Sequence, residues 1–152
     1  MPHIHEKIDM TVEVFIVHKN TVLLRMHDKY KIWLSIGGHI ELDEDPVEAA
    51  FREVEEEVGL QITLIPHLEL PQYSNPERKE LLPPRYMNRH AINASHEHIS
   101  LVYFATSDSD QVVPEKKEDL WKWVSADELS SMDLNPDVEF YARKALEELG
   151  TN

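Results

Sequence analysis

The chain has 152 residues, with 29 acidic against 15 basic side chains and a formal net charge of −14. A surface that negative excludes broad binding to nucleic acid or to anionic membranes, both of which need a basic face. The absence of cysteine excludes a disulfide framework and thiolate chemistry, and no run approaches the roughly 18 apolar residues of a membrane span.

A single domain, 1–152, is expected at this length, large enough to bury a core. The opening Met-Pro-His-Ile-His-Glu-Lys contains no apolar run, so no secretory leader is expected and the cytoplasm is the default location. Residues 10–18 alternate and are rich in β-branched side chains, Lys19-Asn20 suits a turn, and 21–26 return as a second strand of a hairpin. A short strand over 31–36 then feeds a turn at Gly37-Gly38, where two glycines permit close backbone approach.

The next stretch organises the chain. Asp45 is suited to cap a helix, Pro46 to its first position, Glu48 to a capping box, and Gly59 to a left-handed end. Val47, Ala50, Phe51, Val54 and Val58 recur at helical spacing as one apolar stripe. Glu53 and Glu57 fall on adjacent turns of one flank with Glu56 nearby, whereas Glu48 and Glu55 fall on the other flank and are expected in solvent. Two carboxylates about 6 Å apart repel by roughly 3 kcal/mol at an effective dielectric of about 20. Such crowding calls for a cation, and an all-oxygen donor set favours Mg²⁺ or Mn²⁺. A calcium loop of the EF-hand kind fails on spacing, since the acids from Asp43 onward lack its central glycine.

Beyond the helix, 60–70 reads as a strand broken at Pro66, and 71–95 as a long polar loop. That loop is basic in an acidic chain: Arg78, Lys79, Arg85, Arg89 and His90 stand there with Tyr73 and Tyr86. Arginines suit phosphate oxygens and tyrosines suit bases, so the segment is expected to act as a substrate lid, with Arg78, Arg85, Arg89 and Tyr86 as binding residues. His96-Glu97-His98 precedes a strand over 99–106. A His-x-His pair offers too few ligands for zinc and no partner set at zinc spacing is evident, so these histidines read as ordinary strand-start residues. Residues 120–124 form a further strand with Trp121 and Trp123 on one face, expected to pack in the core. Ser125 to Glu128 is a capping box, and Asn135-Pro136 opens a last helix with the stripe Val138, Tyr141, Ala142, Ala145 and Leu149, ended by Gly150. Strands interspersed with two main helices predict a mixed sheet between helical layers.

The spacing Gly38, Glu44, Arg52-Glu53-Val54-x-Glu56-Glu57-x-Gly59-Leu60 resembles the Nudix box at every fixed position. Trp33-Leu-x-x-Gly-Gly-His-Ile-Glu41 and Leu120-x-Lys-Trp123-Val-Ser-x-x-Glu-Leu129 resemble the segments that flank it in that superfamily; Ile36 departs from the proline common there. The resemblance implies an α+β fold, the Nudix-type α/β/α sandwich with a central mixed β-sheet. It implies that Glu53, Glu56, Glu57 and the Gly38 carbonyl hold Mg²⁺ or Mn²⁺, with Glu44 joining through water. Arg52 is expected to fix a neighbouring carboxylate, such as Glu53, by bidentate pairing. An extra carboxylate from outside the box is expected, Glu97 by position, with Glu115 and Glu118 as weaker candidates; either Glu53 or Glu97 serves as general base. The implied substrate is a nucleoside diphosphate linked to another group, a nucleoside triphosphate first, with nucleotide sugars, dinucleoside polyphosphates and ADP-ribose open. The alternative from another class is a non-catalytic nucleotide-sensing module. Related folds commonly dimerise, so a homodimer is among the expected states.

Overall fold

The computed structural model describes residues 7–73 and 75–151; the amino-terminal stretch 1–6, read above for a leader, lies outside the described residues. The elements are β1 (Ile8–His18), β2 (Thr21–Met26), β3 (Trp33–Leu34), β4 (Ile36–His39), α1 (Pro46–Val58), β5 (Thr63–Leu64), β6 (Tyr86–Asn93), β7 (His96–Thr106), β8 (Trp121–Val124), α2 (Ala126–Ser131) and α3 (Pro136–Leu149). All the strands join one eight-stranded sheet. Its centre is the long parallel pair β1 and β7, in register from Ile8 opposite Glu97 to Val17 opposite Thr106; the other pairings are antiparallel.

Strand alternation divides the core between the two faces of this sheet. Val14 and Ile16 of β1 pack under Ala50, Val54 and Val58 of α1. Phe15 and Val17 pack with Val102 and Phe104 under Val138, Tyr141, Ala142 and Ala145 of α3. The α/β/α sandwich with a mixed sheet is therefore present. Both predicted capping boxes form: the Asp45 side chain accepts from Glu48 N while Glu48 returns to Asp45 N, and Ser125 does the same with Glu128. Gly59 ends α1 at φ 65°, the left-handed conformation that favours glycine.

The structure departs from the sequence reading at five places. Gly37 and Gly38 make no turn; they lie inside β4, paired with Glu13 and Val12 of β1. The 60–70 strand shrinks to Thr63–Leu64, continued by one hydrogen bond from Ile65 N to Phe104 O, because Pro66 has no N–H to extend the ladder. The long loop of 71–95 ends early: Tyr86–Asn93 pairs with the start of β7, with an irregularity between Ala91 and Asn93. That strand sits at the edge and is mostly exposed, so it needs no alternating pattern and pairing alone fixes it. Trp121 is more than one-third exposed, while Trp123 packs beside the α1-side core and donates Nε1–H to Asp110 O. Lastly, Phe51 of the expected stripe is exposed and Ala49 is fully buried. Ala49, Glu53 and Glu57 share one flank of the helix, so α1 is rolled with its acidic flank toward the sheet.

Candidate active site

That roll places two carboxylates on two glycines. A Cβ on Gly38 would stand 2.5 Å from Glu53 Oε1 and 2.8 Å from Oε2, so the Glu53 carboxylate occupies the space a side chain would need. Gly37 N donates to Glu57 Oε2 over 3.4 Å. The paired glycines thus let the helix settle close enough for its acids to reach the backbone of β4.

Arg52 ties the loop before α1 to the helix. It grips Glu44 with a fork, Nε to Oε2 at 2.9 Å and Nη2 to Oε1 at 2.6 Å, and Nη2 also donates to His39 O at 3.0 Å. Its Nη1 donates to Glu53 Oε1 at 3.0 Å and to Glu56 Oε2 at 3.2 Å. The bidentate partner is therefore Glu44, not Glu53 as anticipated. The reason lies in the 41–44 turn: Glu41 N donates to Glu44 Oε1 and presents that carboxylate to the guanidinium.

The electrostatics follow from burial. Glu57 is pushed up to about 8, first by desolvation and further by the charges of Glu53 and Glu115, against the pull of Arg25 and the Gly37 N–H. Desolvation also raises Glu53, with Arg52 opposing. Glu44 is lowered by its hydrogen bonds from Arg52, and Arg52 is held above its ordinary value chiefly by Glu44. Glu56 remains about half exposed. Two half-buried carboxylates whose affinity for protons is raised have the same appetite for another cation. An oxygen-only donor set of Glu53, Glu57, Glu56 and the Gly38 carbonyl fits a hard divalent ion.

Two further residues bear on the site: Arg25, not singled out in the sequence, and Glu115, a weaker candidate there for the extra carboxylate. Arg25 on β2 lies close enough to Glu57 to lower its pKa, and pairs with the almost fully buried Asp119 at 3.3 Å. A single arginine between Leu24 and Met26 in a strand gives no signal of this. Glu115 reaches the site through the backbone: Val113 N donates to Val58 O and Glu115 N to Glu57 O, satisfying carbonyls at the end of α1.

The structure does not bring Glu97 to the box acids. Gly38 pairs with Val12 and Val12 with Leu101, so Glu97 stands roughly 13 Å further along β7. It is engaged there by Arg89 at 2.7 and 2.8 Å, with Lys7 nearby. Arg78 pairs with Glu80, and Arg85 pairs with Glu148 of α3 while lying over the Tyr86 ring. Tyr86 packs among Phe104, Phe140 and Tyr141. At the level of Gly37 the sheet runs across Glu13 and Val102 to Tyr86, but Tyr86 packs with the α3-side core, on the face opposite the α1 glutamates.

The family model for the NUDIX domain matches residues 8–150. A hydrolase of the NUDIX family from Clostridium perfringens is similar over 93% of this chain and 97% of its own, at 36% identity and TM-score 0.84. An Ap4A hydrolase of C. elegans shares the fold at 17% identity and TM-score 0.68, covering 93% of this chain and 97% of its own. The E. coli dihydroneopterin triphosphate pyrophosphohydrolase does so at 19% and 0.63, covering 95% and 97%. No curated protein sequence matches the chain. The chain belongs to the Nudix family, and its enzyme class is the Nudix pyrophosphohydrolases, which act on acid anhydrides in phosphorus-containing compounds. Among the described residues no helix is long and apolar enough to cross a membrane.

Proposed function

We propose that this chain hydrolyses a phosphoanhydride bond in a nucleoside diphosphate linked to another group, a nucleoside triphosphate first, releasing monophosphate and pyrophosphate. The observation that carries the reading is the seating of Glu53 and Glu57, two carboxylates of raised pKa, side by side on Gly38 and Gly37. Glu53, Glu56, Glu57 and the Gly38 carbonyl would hold Mg²⁺ or Mn²⁺, which when bound neutralises phosphate charge and lowers the pKa of water. Arg52 positions Glu53 and Glu44 rather than meeting substrate. Glu53 is the supported general base: Arg52 already donates to its Oε1, which leaves Oε2 to take the proton of the attacking water. Glu44, held by both of its oxygens by Arg52, would join the ion through water. The place of action is the cytoplasm, and a homodimer is the proposed assembly.

Arg78, Arg85, Arg89 and Tyr86 are proposed for the nucleoside-phosphate end. Each of the arginines would exchange its present carboxylate partner for phosphate oxygens. Arg85→Ala with Arg89→Ala is expected to raise KM about tenfold with kcat little changed, a loss of about 1.4 kcal/mol of uniform binding. An unchanged KM removes these residues from substrate binding.

Chromatographic separation of the nucleotide products from a panel of nucleoside triphosphates, nucleotide sugars, dinucleoside polyphosphates and ADP-ribose, with Mg²⁺ or Mn²⁺, tests the proposal. Turnover is expected, fastest on a triphosphate. A panel without turnover overturns catalysis and leaves the nucleotide-sensing module.

A further inference from the structure

Histidine is concentrated on the sheet face opposite α1, away from the glutamates. Asp9 of β1 stands directly opposite His98 of β7, and His98 opposite His90 of β6. His39 of β4 is paired with Thr11, two residues along β1 from Asp9 and so on the same face, and His96 lies two residues before His98. Strand order thus gathers an aspartate and several imidazoles from distant points of the chain.

The geometry is that of a ligand set. One donor atom from each of Asp9, His39 and His98 lies within 4.8 Å of the other two. Asp9 is almost wholly buried, with His96 Nε2 at 3.1 Å and His39 Nε2 at 3.7 Å from its Oδ2. The rings of His39 and His98 stand edge-on at 4.9 Å, and those of His96 and His98 at 5.3 Å. Donors around a tetrahedral ion with bonds of about 2.1 Å are about 3.4 Å apart. The cluster therefore has to close by at most about 1.4 Å, within reach of χ rotation in the half-buried His39 and His98.

We propose that Asp9, His39 and His98, with His96 as the further ligand, bind one divalent transition-metal cation of the zinc class. The site is distinct from the carboxylate site on α1 in both place and chemistry. Imidazole nitrogens select zinc-like ions, whereas the oxygen donors of Glu53, Glu56 and Glu57 select magnesium-like ones. The sequence conceals the site because its ligands come from three strands with no short motif linking them.

The test uses Zn²⁺ calorimetry and Co²⁺ visible absorption on the full chain carrying Glu53→Gln and Glu57→Gln, which removes the carboxylate site without touching this one. One equivalent of Zn²⁺ is expected to bind, with a d–d spectrum for Co²⁺. Affinity is expected to fall at least tenfold in His98→Gln and in His39→Gln, both at half-buried positions, with the fold of each variant checked by circular dichroism. It is expected to persist in His3→Ala with His5→Ala. No Zn²⁺ binding, equal binding in the His98 and His39 variants, or loss on changing only His3 and His5 would each overturn the proposal. Because the readout is binding in a variant stripped of the carboxylate site, the outcome is independent of the hydrolase reading.

Discussion

Replacing Glu57 by glutamine is expected to lower kcat about 10³-fold or more and, in the absence of divalent cations, to make the protein more stable. The two effects share one cause. Glu57 titrates near 8 in the folded chain against an ordinary value of 4.5, because burial and the neighbouring Glu53 disfavour its charge. Between those values the folded state holds more protons than the unfolded one, so stability falls as pH rises. The contribution is fully present below about 4.5 and is lost through about 8. A shift of this size corresponds to on the order of 5 kcal/mol at alkaline pH. The amide removes that penalty and keeps the hydrogen bond from Gly37 N, while Arg25 retains Asp119. In chelator at pH 8 the variant should melt about 10–15 °C above wild type, with a flatter dependence between pH 5 and 8. Added Mg²⁺ should raise the wild-type midpoint and leave the variant's nearly unchanged. Thermal melts across pH with kcat on the same samples check this. A variant that turns over normally, or that melts lower in chelator, contradicts the assignment of Glu57.

Local chemistry explains which parts of this were readable in the sequence. The caps of α1 depend on Asp45, Glu48 and Gly59 alone, within a few residues of one another, and all form as read. The spacing of Glu53 and Glu57 also survives, because helix periodicity fixes it. The roll of the helix does not follow from periodicity: Phe51 and Ala49 flank the same apolar line, and only the close approach to Gly37 and Gly38 decides that the small residue goes inside. The edge strand Tyr86–Asn93 was missed because its stability comes from β7 rather than from its own pattern. Arg25 and the Asp9–His39–His98 group were missed for a related reason. Each depends on contacts between elements far apart in the chain, for which a single sequence holds no local marker.

The paired glycines separate folding from chemistry, and alanine at each position is expected to fail differently. A Cβ at Gly37 runs into the carbonyl of Val12, which is backbone of the central strand and paired with β4 at that point. Neither strand can yield without breaking the ladder that holds α1 in place. Gly37→Ala should therefore cost roughly 3 kcal/mol or more and lower the melting midpoint by about 6–12 °C. A Cβ at Gly38 meets instead the carboxylate of Glu53, the free end of a flexible side chain. That end can swing aside, so Gly38→Ala should melt within about 3 °C of wild type. The displaced carboxylate, however, no longer lies where Arg52 and the backbone hold it. A misplacement of about 1 Å in a reacting group costs on the order of 10²-fold in rate, and kcat should fall by that much. Only Gly59 among the glycines of the described residues has positive φ, so backbone strain contributes to neither variant and the difference is one of contact alone. Melts and steady-state kinetics on the two proteins decide it. If Gly38→Ala unfolds as readily as Gly37→Ala, or keeps full activity, then Glu53 does not owe its position to the bare backbone beneath it.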